Sequence, residues 1–460
     1  MTAVDETLRP GKARGRITIC GGGVAAVEAV LGLRALLGLA PHIDLIAPNR
    51  RFVYEPLAVA EPFGLGSAPQ FDLADIAGEN AVQLHGASLE AVDPDRGRII
   101  LTGGTRLAYD HLIVAIGARR RAWLPGALHF TGAADSESFR EVLERVERGE
   151  LFTLAFTPPA GTGWTLPTYE LALLTASWVA ERHITDIELT VITAEDDPLT
   201  GFGPATSRVM RDVLGDRGIH LRTGEEAVSV SPGALELASG AVLAVEQVIA
   251  LPRLEGPALA GLPADESGFI PIDEFARVVG LRDVYAVGDA TTFEVKQGGI
   301  AAQQADAAVE SIAAHLGAGV TPMPFERVLR GMLLTGVAPT YLRAVLTEQV
   351  ADRGEVAADP LWWPPTKIAG RYLGPYLAGA VERAEDARAG GREHAHAEPT
   401  AVQSRHREAR ELALSFALAD AGSEDYRSAL RWLDVVEHLD GALPAGYPER
   451  REQWRALAER

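Results

Sequence analysis

The stretch Ile17-Thr18-Ile19-Cys20-Gly21-Gly22-Gly23-Val24-Ala25-Ala26-Val27-Glu28 decides the fold. An apolar run ends in three glycines and continues as small and apolar residues with no turn former. That pattern predicts a buried strand, a tight turn and a helix packed back on the strand. Gly21 permits the turn, and Gly23 lets the backbone approach a ligand. Ala26 keeps the helix close to the strand, with Gly22 and Ala25 completing the turn between them. The first helical turn offers free N–H groups and the positive end of the helix dipole, which suit a phosphate. Gly21, Gly22, Gly23, Ala25 and Ala26 are the first group of candidate ligand-binding residues.

Two more distant stretches join it. Tyr109-Asp110-His111-Leu112-Ile113-Val114-Ala115-Ile116-Gly117 is a second buried strand ending in glycine, and Asp283-Val284-Tyr285-Ala286-Val287-Gly288-Asp289-Ala290 is a third. Between the first two, Val82 to Gly117 alternates apolar and polar residues around Asp93-Pro94-Asp95 and Gly103-Gly104, which predicts a β-meander. A degenerate repeat of the whole pattern follows. Leu151 to Phe156 is again a buried strand, a helix is expected from Thr168 to Arg182, and Ile187 to Thr193 is the next strand. Ile219 to Pro252 then mirrors Val82 to Gly117. Two copies of one βαβ-plus-meander unit argue for two dinucleotide folds, one inserted in the other.

Taken together, in this order, the three stretches resemble the two-dinucleotide-binding-domain flavoproteins. The nearest branch is that of type II NADH dehydrogenases, sulfide:quinone reductases and flavocytochrome-c sulfide dehydrogenases. The resemblance covers residues 16–382. It implies an α/β protein with two Rossmann-like FAD/NAD(P)-binding domains, a C-terminal interface domain and a small all-α tail. The expected segments are 16–125 and 253–318 for the FAD-binding domain and 126–252 for the inserted NAD-like domain. The interface domain is expected at 319–382, a linker at 383–403 and a helical appendage at 404–460.

The resemblance implies noncovalent FAD. Gly288 and Asp289 would present a carboxylate to a ribitol hydroxyl, and Ala115 and Gly117 would border the same site. Lys296, Gln297, Ile300 and Ala301 open a long helix whose N-terminus would face the flavin ring and favour its anionic reduced form. The family usually places an acid after the second strand to hold the adenosine ribose. Here Pro48 and Asn49 stand there instead, with Ala87 or Ser88 expected to line the adenine.

The second copy lacks the glycine fingerprint. Its loop, Thr157 to Glu170, is long and proline-bearing and resembles the Pro-x-Tyr-Glu element of enzymes that bind no nicotinamide there. Glu195, after the next strand, would hold a ribose 2′-hydroxyl and repel a 2′-phosphate if NAD(H) does bind. The other reading of this copy is a structural relic. Leu361-Trp362-Trp363-Pro364-Pro365-Thr366-Lys367 fits no regular element. By analogy its aromatics would line an apolar acceptor pocket or dip into lipid; the alternative is packing between domains or subunits, as in a homodimer.

Composition narrows the partners. The 460 residues are 47 % hydrophobic and 23 % charged, ordinary for a multidomain globular chain. A formal charge of -20 argues against nucleic acid. One cysteine, Cys20, excludes an intrachain disulfide and the cysteine pairs of disulfide reductases, and its buried position reads as core. No apolar run is long enough to span a bilayer, so the cytoplasm is the expected location, with peripheral contact at the inner face of a membrane compatible with the tryptophans. Residues 1–14 read as a disordered leader. No metal site is expected and no acid–base residue stands out. In the tail, Gly422 to Leu430 looks like part of a tetratricopeptide unit, and an apolar face including Leu412 and Phe416 is expected to be covered by Trp432 and Leu433. The functional expectation is an FAD-dependent oxidoreductase passing electrons from a small-molecule donor, NADH favoured, to a quinone-like or other small acceptor. The alternative is a degenerate flavoprotein serving as sensor or scaffold through its tail.

Overall fold

The computed structural model describes residues 15–346, 354–379 and 443–458, with individual helical residues between 414 and 436. The expected leader and linker, and Leu412 and Phe416, lie outside the described residues.

The opening strand, Arg16–Cys20, sits at the centre of a 5-stranded sheet. The spatial order is Val284–Ala286, His111–Val114, Arg16–Cys20, His42–Ile46 and Gln83–His85, every pair parallel. Its central strands are buried on both faces, which is why they read as apolar runs rather than alternating ones. One face is covered by α1 (Val24–Leu37) and, later in the chain, by the long helix Gly298–His315. Alanines on both helices (Ala25, Ala26, Ala29; Ala301, Ala305, Ala308) belong to one core with Ile17, Ile19 and Ile113. Such short side chains let the two helices approach each other closely. The other face carries the antiparallel meander Leu89–Asp93, Arg98–Leu101 and Arg106–Ala108, whose Val92, Ile99 and Leu101 pack on Cys20, Leu112 and Val114.

Residues between the strand His111–Val114 and Val284 build a second 5-stranded parallel sheet. Its order is Leu128–His129, Gln247–Ala250, Thr153–Thr157, Glu188–Ile192 and Ile219–Arg222. The first sheet therefore takes strands from both sides of the second in sequence, which is the insertion the repeat implied. The remaining helices before the long one are α2 (Leu73–Glu79), α3 (Ser136–Glu147), α4 (Leu166–Glu181) and α5 (Pro204–Asp216), so Gly298–His315 is α6. α4 is buried around most of its circumference because strands lie on one side and an antiparallel sheet on the other. That sheet is Val328–Leu333, Thr340–Val345 and Glu355–Ala357; its Leu329, Leu333 and Leu342 share a core with Leu171 and Leu174.

The chain then returns to the first sheet. Glu28 in α1 is fully buried, and its carboxylate accepts from the N–H groups of Tyr372 (2.9 Å) and Leu373 (2.7 Å). These open a helical stretch at 373–379, so a side chain far away in sequence caps it. Beside it the buried Arg371 and Glu310 pair at 2.9 Å. In the tail, Ala417, Ala429, Leu433 and Trp454 form a small core of their own. Trp432 also lies 5.9 Å from the Arg371 guanidinium and packs with Tyr372, so the tail meets the body at this corner.

Candidate active site

The C-terminal ends of both parallel sheets open into one cavity of about 370 Å³. Crevices at these strand ends are where α/β sheets place ligands, because the loops there are free of the ladder. From the first sheet it is lined by Gly23, Ala25, Ala115, Gly117, Gly288 and Asp289; from α6 and its approach by Lys296, Gln297, Gly298 and Ala301. These include residues drawn from all three of the quoted stretches.

The glycine turn is sterically committed. Gly21 has φ +136°, and a Cβ there would sit 2.0 Å from the Ala115 carbonyl oxygen. Gly23, the N-cap of α1, has nothing within 4 Å of a built Cβ, so its outer side is open to a ligand. Gly22 lies against Leu73 and Ala47. Ala26 and Ile300 are buried beneath the turn and the helix start and do not reach the cavity. Pro48 and Asn49 are exposed after the strand His42–Ile46, and Ala87 is half-buried after Gln83–His85. All three are on the same edge of the sheet but outside the cavity lining.

Asp289 is held by a buried glutamine. The Gln304 Oε1 accepts from the Gly288 N–H at 2.7 Å and fixes the turn that aims Asp289 into the cavity. No described residue donates a hydrogen bond to the Asp289 carboxylate. Burial pushes its pKa up, with Lys296 and Arg120 acting against that shift. Lys296 answers in the opposite sense: burial lowers it to about 8, while Asp289 and Asp265 raise it. Its ammonium donates to the Thr291 carbonyl and lies 3.9 Å from the Phe269 ring centre. Gln297 caps α6, accepting from the Ile300 N–H at 2.9 Å and donating to the Arg330 carbonyl at 3.0 Å. Its role is to set the helix start, where Gly298 faces the cavity and a Cβ would meet Ile368 at 2.6 Å.

The lining also carries apolar side chains, among them Val59, Phe130, Trp164, Leu166, Met332 and Ile368. It holds a buried ion pair absent from the sequence expectations. The Lys367 Nζ lies 2.6 Å and 2.7 Å from the two oxygens of Glu170, with side-chain exposures of 5 % and 1 %. Glu170 also accepts from the Leu334 N–H at 2.9 Å; burial nevertheless pushes its pKa up, Lys367 opposing. Tyr54 accepts from the Ile368 N–H at 2.7 Å and so fixes the backbone beside Lys367.

The structure gives the surroundings of Trp362, Trp363, Glu195 and Cys20. Neither tryptophan lines the cavity: Trp362 donates to the Thr366 carbonyl and packs edge-on against Tyr341, while Trp363 is 59 % exposed. That segment reaches the cavity through Lys367 and Ile368 instead. Glu195 is engaged by the protein, accepting from the Tyr169 hydroxyl (2.8 Å), the Thr193 hydroxyl (3.1 Å) and the Thr200 N–H (3.2 Å). The loop before α4 is held against the start of the α6 segment, a Cβ on Gly163 lying 2.4 Å from the Glu294 carbonyl oxygen. Cys20 is fully buried, and burial together with Asp44 pushes its thiol up, so it stays protonated.

The residues fit a dinucleotide with a flavin. The open backbone at Gly23, the close-packed Gly21 turn, an acceptor carboxylate with no donor among the described residues and a helix N-terminus on one cavity are the parts such a cofactor needs.

The model of the family described as pyridine nucleotide-disulphide oxidoreductase matches residues 15–309. Over 289 residues the chain is 27 % identical to an NADH dehydrogenase-like protein of Mycobacterium tuberculosis, covering 60 % of this chain and 72 % of that protein. It is also 27 % identical over 299 residues to putidaredoxin reductase of Pseudomonas putida, covering 61 % and 68 %. Among solved structures, the sulfide:quinone oxidoreductase of Aquifex aeolicus superposes with a TM-score of 0.69 over 80 % of this chain and 90 % of that one; at 18 % identity this speaks to the fold. The family match spans the glycine turn, both sheets and the Gly288-Asp289 turn, and the chain therefore belongs to the pyridine nucleotide-disulphide oxidoreductase family and is an FAD-dependent oxidoreductase.

Proposed function

We propose that this enzyme takes electrons from NADH and delivers them to a quinone-like acceptor beside the apolar lining of the cavity. The observation that carries the reading is that one cavity is lined both by the glycine turns with Asp289 and by apolar side chains with a buried Glu170–Lys367 pair. Bound FAD supplies the step between a two-electron donor and the acceptor. Gly21, Gly22, Gly23, Ala25 and Ala26 would seat the pyrophosphate, Asp289 would accept from a ribitol hydroxyl, and Ala115, Gly117 and Ala301 would border the ring. Pro48, Asn49 and Ala87 would flank the adenosine at the sheet edge. The positive end of α6 and the Lys296 ammonium favour negative charge beside it. Lys367 faces the acceptor with its proton held by Glu170. A quinone gains protons as well as electrons on reduction, and this pair lines the same cavity. The donor is favoured by the resemblance to NADH dehydrogenase-like proteins. The exposed Trp363 suits contact with a membrane surface or a second copy of the chain.

A second reading, a donor other than a nicotinamide, has one observation in its favour: the loop before α4 lacks glycine at the usual positions and packs on the α6 segment. Anaerobic mixing separates the two. Bleaching of the flavin by NADH, followed by recovery on adding a short-chain quinone, supports the proposal. A flavin that stays oxidised in NADH and NADPH but bleaches with another reductant overturns the donor assignment. Reduced flavin that ignores quinone overturns the acceptor.

A further inference from the structure

At the opposite edge of the first sheet from the cavity, three side chains converge from three elements. His111 begins the strand His111–Val114, Asp283 directly precedes the strand Val284–Ala286, and His315 is the last residue of α6. Their ligand atoms all lie within 4.8 Å of one another. The His111 side chain is 4 % exposed, and its Nδ1 is buried without a hydrogen-bond partner among the described residues. The Asp283 carboxylate faces it from 3.6 Å, beyond hydrogen-bond reach, and the His315 ring stands edge-on at 5.0 Å between centres. A buried imidazole nitrogen with no donor or acceptor is costly unless something occupies the space before it.

We propose that His111, Asp283 and His315 bind a divalent transition ion of the zinc type as a structural clamp. Two imidazoles and one carboxylate are an N2O set suited to zinc and its neighbours rather than to calcium or magnesium. A tetrahedral ion with bonds of about 2.0–2.2 Å needs ligand atoms roughly 3.3 Å apart. Asp283 is 44 % exposed and His315 is exposed, so both side chains can swing inward while the buried His111 stays fixed. The site sits at the C-terminal, negative end of α6, which favours a cation. Asp283 and a solvent molecule would complete charge and coordination.

The position gives the clamp its consequence. The other ends of the same three elements supply Ala115 and Gly117, Gly288 and Asp289, and Gly298 and Ala301 to the cavity. An ion joining their far ends fixes the helix relative to the two strands that carry the cofactor turns. It takes no part in the redox chemistry.

The test uses the full-length, flavin-loaded protein purified without a histidine tag. Its sequence also contains His394 and His396, so every form carries His394→Ala and His396→Ala to silence that pair. After chelation and re-equilibration with Zn2+, metal analysis should find one zinc per chain, and the unfolding midpoint should rise by roughly 5 °C at a hundredfold excess over Kd. Asp283→Asn and His315→Gln alter accessible side chains and should keep the flavin spectrum while losing both effects. His111→Gln should lose them as well. No stoichiometric zinc in the parent, or undiminished zinc in folded Asp283→Asn and His315→Gln, would overturn the assignment.

Discussion

Replacing Lys367 with methionine isolates the energetics of the chamber. The pair is closed to water, with Glu170 1 % and Lys367 5 % exposed, and both carboxylate oxygens engaged at 2.6 and 2.7 Å. Methionine keeps the volume and removes the charge, leaving Glu170 with the Leu334 N–H as its remaining donor. Breaking such a pair from one side costs about 3–5 kcal/mol, because an unpartnered charge stays buried. For a chain of this size that is about 3–5 °C in unfolding midpoint. The pH dependence has a definite sign. Burial already places the folded-state pKa of Glu170 above its ordinary value of 4.5, and loss of Lys367 raises it further. Between the unfolded and folded values the native state holds the extra proton, so stability falls as pH rises through that window. Lys367→Met should thus be near wild type in acid and lose stability progressively above the ordinary carboxylate range. The double variant Glu170→Gln, Lys367→Met removes both charges and should recover most of the loss and its pH slope. Denaturant titrations of the two variants between pH 4 and pH 8 measure this directly. A Lys367→Met protein no less stable than the double variant, with the same pH profile, would refute the coupling. The same variant should slow reoxidation of reduced flavin by quinone more than its reduction by the donor, since the pair lines the cavity proposed to take the acceptor.

Two further outcomes follow from the cofactor residues. Asp289→Asn should weaken FAD binding by roughly 10–100-fold, the worth of a hydrogen bond to a charged group. It should also stabilise the apoprotein at pH 7, since burial opposes that carboxylate's charge; unchanged FAD retention on gel filtration would remove Asp289 from the ribitol. Gly21→Ala should give little folded yellow protein, because its Cβ would fall 2.0 Å from the Ala115 carbonyl oxygen at φ +136°; a normal yield and melting temperature would contradict that.

The sequence by itself determined the parts governed by local chemistry. Glycine turns after apolar runs have few conformations open to them, and parallel strands buried on both faces must be apolar throughout, so both sheets, α1 and the start of α6 were legible. The repeat located the inserted sheet for the same reason. What only the tertiary structure decided are partnerships between residues that share no period or spacing. Glu170 meets Lys367 across 197 positions, and Glu28 caps a helix 345 positions away. His111, Asp283 and His315 come together because strand starts and a helix end fall on one edge. The tryptophans left two readings open for a related reason: their apolar character announces burial or contact but not with what, and folding turned Lys367 rather than Trp363 into the cavity. Glu195 stands at the sequence position for a ribose, and only the tertiary structure shows that Tyr169 and Thr200, placed there by α4 and the loop before α5, donate to its oxygens. Local pattern specifies which backbone shapes form; the docking of those shapes chooses which buried charges face each other, because each one must find a partner where the packing leaves it.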